Sequence, residues 1–458
     1  MNRREALRTL GNGFGLLGLA QLLADTAQGN TSLLAKAPHF PAKAKHVLFL
    51  FLNGGPSQVD TFDPKPKLTK HDGEPMPPGL SIMDVPTGHL FGSPFKFKKY
   101  GQSGIEVSEI FPGVGELIDD ICVIRSMYTD NPLHETGLFR MNTGHLQPGH
   151  PSMGSWITYG LGTENQNLPG YVVLCPGQPA GGGAQLYTAS YLPGIYQGTH
   201  ISNQEEKETS KLIPHIRNSQ LGLAEQRKQL DLIGKLTQLG GRDQVTDPQV
   251  EATIQSMEMA YRMQTEAIDV FDIKNESEAT RARYGDGEFA RGCLMAKRLL
   301  ERGVRMVQLY YGAGIPWDSH TDILVHRKLG FLADRPIAAL LQDLKISGLL
   351  KETIVLIGGE FGRAPANEPD AGLAYGRGHD HNGFTTLVAG GGFKGGLAYG
   401  ATDDLGFQAV ENRVHVNDLH ATVLHQLGLD HEKLTFQYGG RDFRLTDLGG
   451  KVVKDIVT

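Results

Sequence analysis

Two stretches between residues 353 and 392 decide the fold. The first is Thr353-Ile354-Val355-Leu356-Ile357-Gly358-Gly359-Glu360-Phe361-Gly362-Arg363. The second is Gly378-His379-Asp380-His381-Asn382, followed by Thr385-Thr386-Leu387-Val388-Ala389 and three glycines. Continuous apolar, β-branched runs of five residues bounded by glycine read as buried strands. A carboxylate just beyond one strand and a His-x-His beside the next is how an α/β enzyme assembles a metal site.

Further strands read outward from this core: His46–Leu52 (HVLFLFL), Ile121–Ile124, Tyr171–Leu174 and Val304–Tyr311. Helical spacing with charged faces covers Gln220–Leu239 and Gln249–Val270, which predicts a helical hairpin insertion over 220–270. Phe289–Arg302 is amphipathic and stops at Gly303, where a C-terminal glycine cap belongs. Ile323–Leu344 reads as a helix interrupted near Pro336, and Asn417-Asp418 as the cap of a helix running to Leu427 and stopped by Gly428. Residues 67–104 are rich in Pro, Gly and Lys with little periodicity, and predict an extended surface excursion. Strands alternating with helices predict a mostly parallel sheet covered on both faces. No repeat or linker divides residues 45–458, so one domain is expected.

Composition narrows the function. The chain has 458 residues, with 44 basic against 50 acidic side chains and a net charge of -6. No basic excess exists to neutralise phosphates, which argues against nucleic acid as a partner. Three dispersed cysteines give neither a disulfide framework nor a thiolate zinc site. Arg3-Arg4 ahead of a weakly apolar segment, Leu10–Ala24, and the small-residue stretch Ala35-Lys36-Ala37 read as a twin-arginine-type export signal over 1–37. A periplasmic or extracellular location follows from it. Every later apolar run is of strand length, so no stable membrane span is expected. Nothing in the sequence sets the oligomeric state.

In open parallel sheets, ligands bind beyond the carboxyl ends of the strands. The polar residues there are Asn53, Ser57 and Asp60; Asn131, His134, Glu135 and Thr136; Asp318, Ser319, His320 and Asp322; Glu360; and His379, Asp380 and His381. Carboxylate with imidazole suits Zn²⁺ or Mn²⁺ better than Ca²⁺, which prefers an all-oxygen shell. One or two ions could share such a set and polarise a phosphoryl or sulfuryl oxygen. Each residue also has a plainer reading. Asp318-Ser319-His320 caps the next helix, Glu360 pairs with Arg363 or Arg377, Ser57 is a cap or turn residue, and His379 and His381 are loop histidines. No P-loop, nucleophile elbow, HExxH or CxxC occurs.

Several long motifs carry a resemblance. Gly54-Gly55-Pro56-Ser57-Gln58-Val59-Asp60-Thr61-Phe62-Asp63-Pro64-Lys65-Pro66, His150-Pro151-Ser152-Met153-Gly154-Ser155-Trp156, Trp317-Asp318-Ser319-His320, Gly378-His379-Asp380-His381-Asn382 and Asp418-Leu419-His420-Ala421-Thr422 resemble the exported domain of unknown function 1501 family. So does Gly440-Arg441-Asp442-Phe443-Arg444-Leu445-Thr446-Asp447, and the resemblance spans nearly all of the chain beyond the signal. It implies membership of the alkaline phosphatase and sulfatase superfamily, with a three-layer α/β/α sandwich around a mostly parallel sheet. It also implies a metal-dependent hydrolase acting on an anionic sulfate or phosphate ester of a small molecule or polysaccharide.

Carried residue by residue, the resemblance puts Asn53 at the first-strand metal position. Thr143-Gly144 resembles a pair that follows the nucleophile by nine residues, which lands on His134 with Thr136 close by. Asp318 and His320 resemble the ligands of one metal, Glu360-Phe361 a strand-end Asp-His pair, and His381, ahead of His379, the last metal histidine. Phe361 cannot ligate, Asn53 is a weaker ligand than aspartate, and the sulfatase Cys-x-Pro-x-Arg motif is absent. The resemblance therefore implies one metal held by Asp318, His320 and His381, with Glu360 in support or acting as base and His134 as acid/base. Ser57 or Thr136 would be the nucleophile, unless a metal-bound water takes that part. A non-catalytic envelope binding protein with a degraded metal site is the alternative.

Overall fold

The strand β1 (His46–Phe51) is buried at every position, because it lies in the middle of the main sheet with parallel neighbours on both sides. One is β5 (Met306–Tyr310), in register Leu50 to Leu309; the other is β6 (Thr353–Gly358), in register Leu50 to Ile357. The remaining strands are β2 (Ile121–Tyr128), β3 (Tyr171–Leu174), β4 (Thr199–Ile201), β7 (Phe384–Ala389), β8 (Leu397–Tyr399) and β9 (Val414–His415). The order is β8-β2-β7-β6-β1-β5-β3-β4, with β9 also on β2. All pairings are parallel except those of β7, which runs antiparallel to both β2 and β6. This computed structural model describes residues 33–77, 88–179, 181–206, 209–213, 216, 220–239, 248–367 and 375–458. Most of the expected export signal thus lies outside the described residues.

Alternation along the strands makes two cores. Leu48, Leu50, Val307, Leu309, Val355 and Ile357 face one side. Val47, Phe49, Phe51, Met306, Tyr310, Ile354 and Leu356 face the other. Each such side chain contributes about 1.5–3 kcal/mol on burial, so both faces must be covered. On the first face lie α5 (Glu288–Glu301) and α6 (Val325–Ser347), through residues such as Leu294, Leu299, Ile337 and Leu340. On the second lie α1 (His134–Thr143), α2 (Met153–Leu161) and α7 (Val416–Gln426), through Leu138, Phe139, Trp156, Leu419 and Val423. The fold is the three-layer, mostly parallel α/β/α sandwich expected from the sequence.

Three local expectations need correction. The helix α6 is continuous through Pro336. Ala333, Ile337, Leu340 and Leu344 on both sides of the proline pack into one core and hold the segment helical despite the lost donor. Residues 67–104 are not wholly a surface excursion: Leu68, Leu90, Phe95 and Tyr100 are buried, and Phe97–Tyr100 pairs with Ile105–Ser108. In the 220–270 segment, α3 (Leu223–Leu239) packs on α4 (Pro248–Arg262) through Leu230, Ile233, Met257 and Ala260, with Arg227 forked onto Glu258 at 2.9 and 2.7 Å. The α-helix stops at Arg262, earlier than the pattern implied, and passes into a π turn over Met263–Ala267.

Candidate metal centre

The carboxyl ends of β1, β2, β5 and β6 deliver the loops of one site. Because β7 is reversed, the residues that lead into it lie at this same end. That is why His379, which precedes its strand, meets residues that follow theirs.

Four residues converge: His134 at the start of α1, Asp318 and His320 after β5, and His379. One ligand atom from each lies within 4.8 Å of all the others. The hub is Asp318 Oδ1, at 2.8 Å from His320 Nε2, 3.2 Å from His134 Nε2 and 3.3 Å from His379 Nε2. The two nitrogens His320 Nε2 and His379 Nε2 are 3.0 Å apart.

The outer nitrogens fix what faces inward. His379 Nδ1 lies 2.7 Å from the Pro132 carbonyl, which only accepts, so Nδ1 carries the proton. Burial pulls the His379 pKa down, against the hydrogen bond with Asp318. In the neutral ring Nε2 is then a bare lone pair, aimed at a carboxylate oxygen and another imidazole nitrogen. Arg363 already brings a proton and a positive charge to Asp318 Oδ1, and the His379 lone pair is the donor that a metal ion would take. His134 is braced similarly: its Nδ1 is 2.6 Å from Glu360 Oε1. Glu360 is fully buried and accepts from the Gly54 N–H at 3.0 and 3.2 Å. Carboxylate-to-imidazole and carbonyl-to-imidazole support is the usual outer layer of a metal site. A set of three imidazoles and one carboxylate fits Zn²⁺ or Mn²⁺.

Arg363 completes the surroundings. It is fully buried, donates to the Gly54 and Gly55 carbonyls, and reaches Asp318 Oδ1 at 2.6 Å. Burial pushes the Asp318 carboxyl up, but the three imidazoles and the Arg363 charge outweigh it and hold the group far below the usual carboxylate range. Phe361 cannot ligate, and instead forms a wall. Its ring packs 4.8 Å from His134 and 4.9 Å from His379 and limits how either imidazole can turn.

Other sequence candidates lie elsewhere. His381 does not join the group of four. The chain bends after Asp380, whose carboxylate accepts from the Asn382 N–H at 2.9 Å, so strand alternation no longer places His381 beside His379. Its carbonyl accepts from Thr129, and its buried Nδ1 has no partner. Asn53 is also outside the group: its amide donates to Gly312 and Gly314 carbonyls, and Oδ1 is buried without a partner. Thr136 is half-buried in the first turn of α1, donating to Asn131 Oδ1 at 2.7 Å. Ser57 is sealed, donating to Asp60 Oδ2 at 2.5 Å. Asp60 in turn pairs with Arg377 at 2.7 and 3.1 Å, both fully buried. The arginine partner foreseen for Glu360 thus belongs to Asp60, and Arg363 belongs to Asp318.

One positioning residue escaped the sequence reading. His326, fully buried in the first turn of α6, accepts from the Ser57 N–H at 3.3 Å and lies 3.2 Å from Ser319 Oγ. It ties the loop after β1 to the loop that carries Asp318 and His320. Burial pulls its pKa down to about 3, with Asp60 opposing and Arg363 and Arg377 assisting. A single histidine beside ordinary helix residues gave no signal for this.

The fold and centre define a class: an α/β sandwich with a histidine–aspartate cluster, able to hold a metal ion, at the carboxyl end of its sheet. Within that class the chain belongs to the family described as "Protein of unknown function (DUF1501)", matched over residues 44–457. No curated protein matches it. Similar solved structures include a sulfatase, PsFucS1, from Pseudoalteromonas sp., at 13% identity over 94% of this chain and 71% of that one, with a TM-score of 0.35. Another is a protein in the alkaline phosphatase superfamily from Vibrio parahaemolyticus, at 11% identity, 96% and 82% coverage and a TM-score of 0.34. A third is the lipoteichoic acid synthase LtaP from Listeria monocytogenes, at 10% identity, 89% and 76% coverage and a TM-score of 0.39. At these values the likeness carries nothing about chemistry. Among the described residues, no helix is long and apolar enough to cross a membrane.

Proposed function

We propose that the protein is an exported, metal-dependent hydrolase of sulfate or phosphate esters. The observation that carries this reading is the convergence of three Nε2 atoms on Asp318 Oδ1, with two of the imidazoles held from outside by Glu360 and the Pro132 carbonyl. His134, Asp318, His320 and His379 would hold the ion, with His379 in the place first expected for His381. Bound there, Zn²⁺ or Mn²⁺ supplies Lewis-acid polarisation of a phosphoryl or sulfuryl oxygen.

The chain's own groups do the rest. The N-terminal end of α1 opens at His134 and favours an anion through its free N–H groups. Glu360 keeps the His134 Nδ1 proton in place and so orients the ring. Ser57 is sealed under Asp60, so the attacking oxygen comes from water or from Thr136. His320, whose side chain is 35% exposed, marks the open side of the centre.

The second reading is a binding protein of the cell envelope. It is favoured by Phe361, which fills with an aromatic ring the place where a second metal would need a ligand. Metal analysis of the purified protein separates the readings, followed by assay of aryl sulfates and aryl phosphates with added Mn²⁺ or Zn²⁺. One equivalent of metal, lost in Asp318→Ala, is expected. A wild type that holds no metal, even after addition of Zn²⁺ or Mn²⁺, would end the metallohydrolase reading. A loaded protein inert on every ester would favour the binding reading.

A further inference from the structure

An open hollow of about 290 Å³ has a lining that includes Thr69, Asp72, Phe91, Ser93, Leu324 and Tyr375. It adjoins the centre through the backbone. Ile323 N donates to the Tyr375 carbonyl at 2.8 Å and Arg377 N to the Ser319 carbonyl at 2.9 Å, so residues 375–377 run alongside the segment that carries His320. Contact is close enough that a Cβ on Gly376 would lie 1.8 Å from the His320 carbonyl oxygen.

Three features of the hollow point to one kind of occupant. Its wall is aromatic, with the Phe91 and Tyr375 rings 6.0 Å apart and inclined at 49°. Tyr375 is 63% exposed beside Leu324 at 47%, an apolar patch left open to solvent. Its polar groups are hydroxyl and carboxylate: Thr69, Ser93 and Asp72, the last held by the Gly92 N–H at 2.7 Å. Among the described residues the lining has no cationic side chain, so the anionic end of a substrate does not belong there. An apolar face with hydroxyl-bearing edges is the shape of a pyranose ring. The volume lies at the small end of the roughly 300–1,000 Å³ of small-molecule sites, room for one ring.

The Phe91 side of the wall is held in place. The Arg377 guanidinium lies 4.5 Å from the Phe91 ring, donates to the Phe91 and Gly92 carbonyls, and is itself anchored on Asp60. A pre-formed wall spares the ordering cost of binding.

We infer that this hollow is a subsite for a neutral sugar ring, stacked on Tyr375 and hydrogen-bonded by Asp72 and Thr69, with the ester of the same glycan facing the His320 side of the centre. The orientation of the ester rests on the proposed hydrolase reading; the binding of the sugar does not. The test therefore uses glycans that carry no ester. Calorimetric titration of the full chain with neutral hexasaccharides of glucose, galactose, mannose and xylose should give saturable binding of at least one. Tyr375→Ala should weaken it by about tenfold or more, the equivalent of ~1.4 kcal/mol, while Tyr375→Phe keeps it within about twofold. Asp72→Asn should weaken it less than Tyr375→Ala. Absence of binding to all four, or binding that Tyr375→Ala leaves unchanged, overturns the subsite. Binding by a protein that turns over no aryl ester keeps the subsite and removes only the hydrolase reading.

Discussion

Two carboxylates beneath the same loops show the difference between a group that holds the protein together and one placed for chemistry. Asp60 is fully buried, grips Arg377 through both oxygens, and takes a further bond from Ser57. Its arginine is bonded in turn to the Phe91 and Gly92 carbonyls, so the pair's needs are met within the protein. Asp318 is partly open, and one of its oxygens receives three imidazoles and an arginine, two of those imidazoles already committed on their far side. The first is a closed pair of donors and acceptors; the second gathers three imidazoles on one carboxylate at the open end of the sheet. The first therefore reads as structure and the second as a cation site.

The contrast breaks most sharply through Asp60. Asp60→Ala leaves Arg377 charged and buried without a partner, and should cost about 3–5 kcal/mol in denaturant unfolding. Asp318→Ala also leaves a buried arginine, Arg363, without its carboxylate and should cost stability as well, but it should in addition abolish metal binding. Metal binding that survives Asp318→Ala would erase the distinction.

Acid should strain the sealed side next. His326 is neutral in the folded protein, with a pKa of about 3, against roughly 6.5 when unfolded. Between those values the unfolded chain binds more protons, so stability is full above about pH 6.5 and falls as pH falls. The slope is up to ~1.4 kcal/mol per pH unit from this residue. His420, pulled down to about 4 by burial, adds with the same sign. Unfolding midpoints measured from pH 7.5 to 4.5 should drop, and His326→Gln should flatten that drop. A slope unaltered by His326→Gln would contradict the neutral bridge.

On the open side, Glu360→Gln keeps the shape but weakens the brace on His134. Metal affinity by competition with a chelator should fall about 10–100-fold. The smallest effect belongs to His381→Ala, which should leave that affinity within about twofold, whereas His379→Ala abolishes it. The opposite ranking of the two histidines would restore the ligand set first read from the sequence.

How much was legible follows from these particulars. The strands His46–Phe51, Tyr171–Leu174 and Thr353–Gly358 announced themselves because burial on both faces forces continuous apolar runs. The placing of Asp318 and His320 at this end of the sheet was legible because they follow a strand. His379 against His381 was not, because the choice depends on a turn at Asp380 and on the reversal of β7, neither of which changes the apolar pattern. The partners of the buried arginines were hidden for a similar reason. Arg363 and Arg377 sit on one short segment, and only tertiary packing sends one to Asp318 and the other to Asp60.

The reversed strand has a consequence for how the protein is made. The four gathered residues come from segments scattered between His134 and His379, and the last arrives just ahead of β7, late in the chain. During synthesis at roughly 5–20 residues per second, no shorter nascent fragment contains the complete centre. An ion held by these four residues would then be captured only after His379 has emerged, and its binding energy would stabilise the assembled centre, not any earlier folding fragment. The step that completes the centre would therefore also be the step at which a metal is chosen.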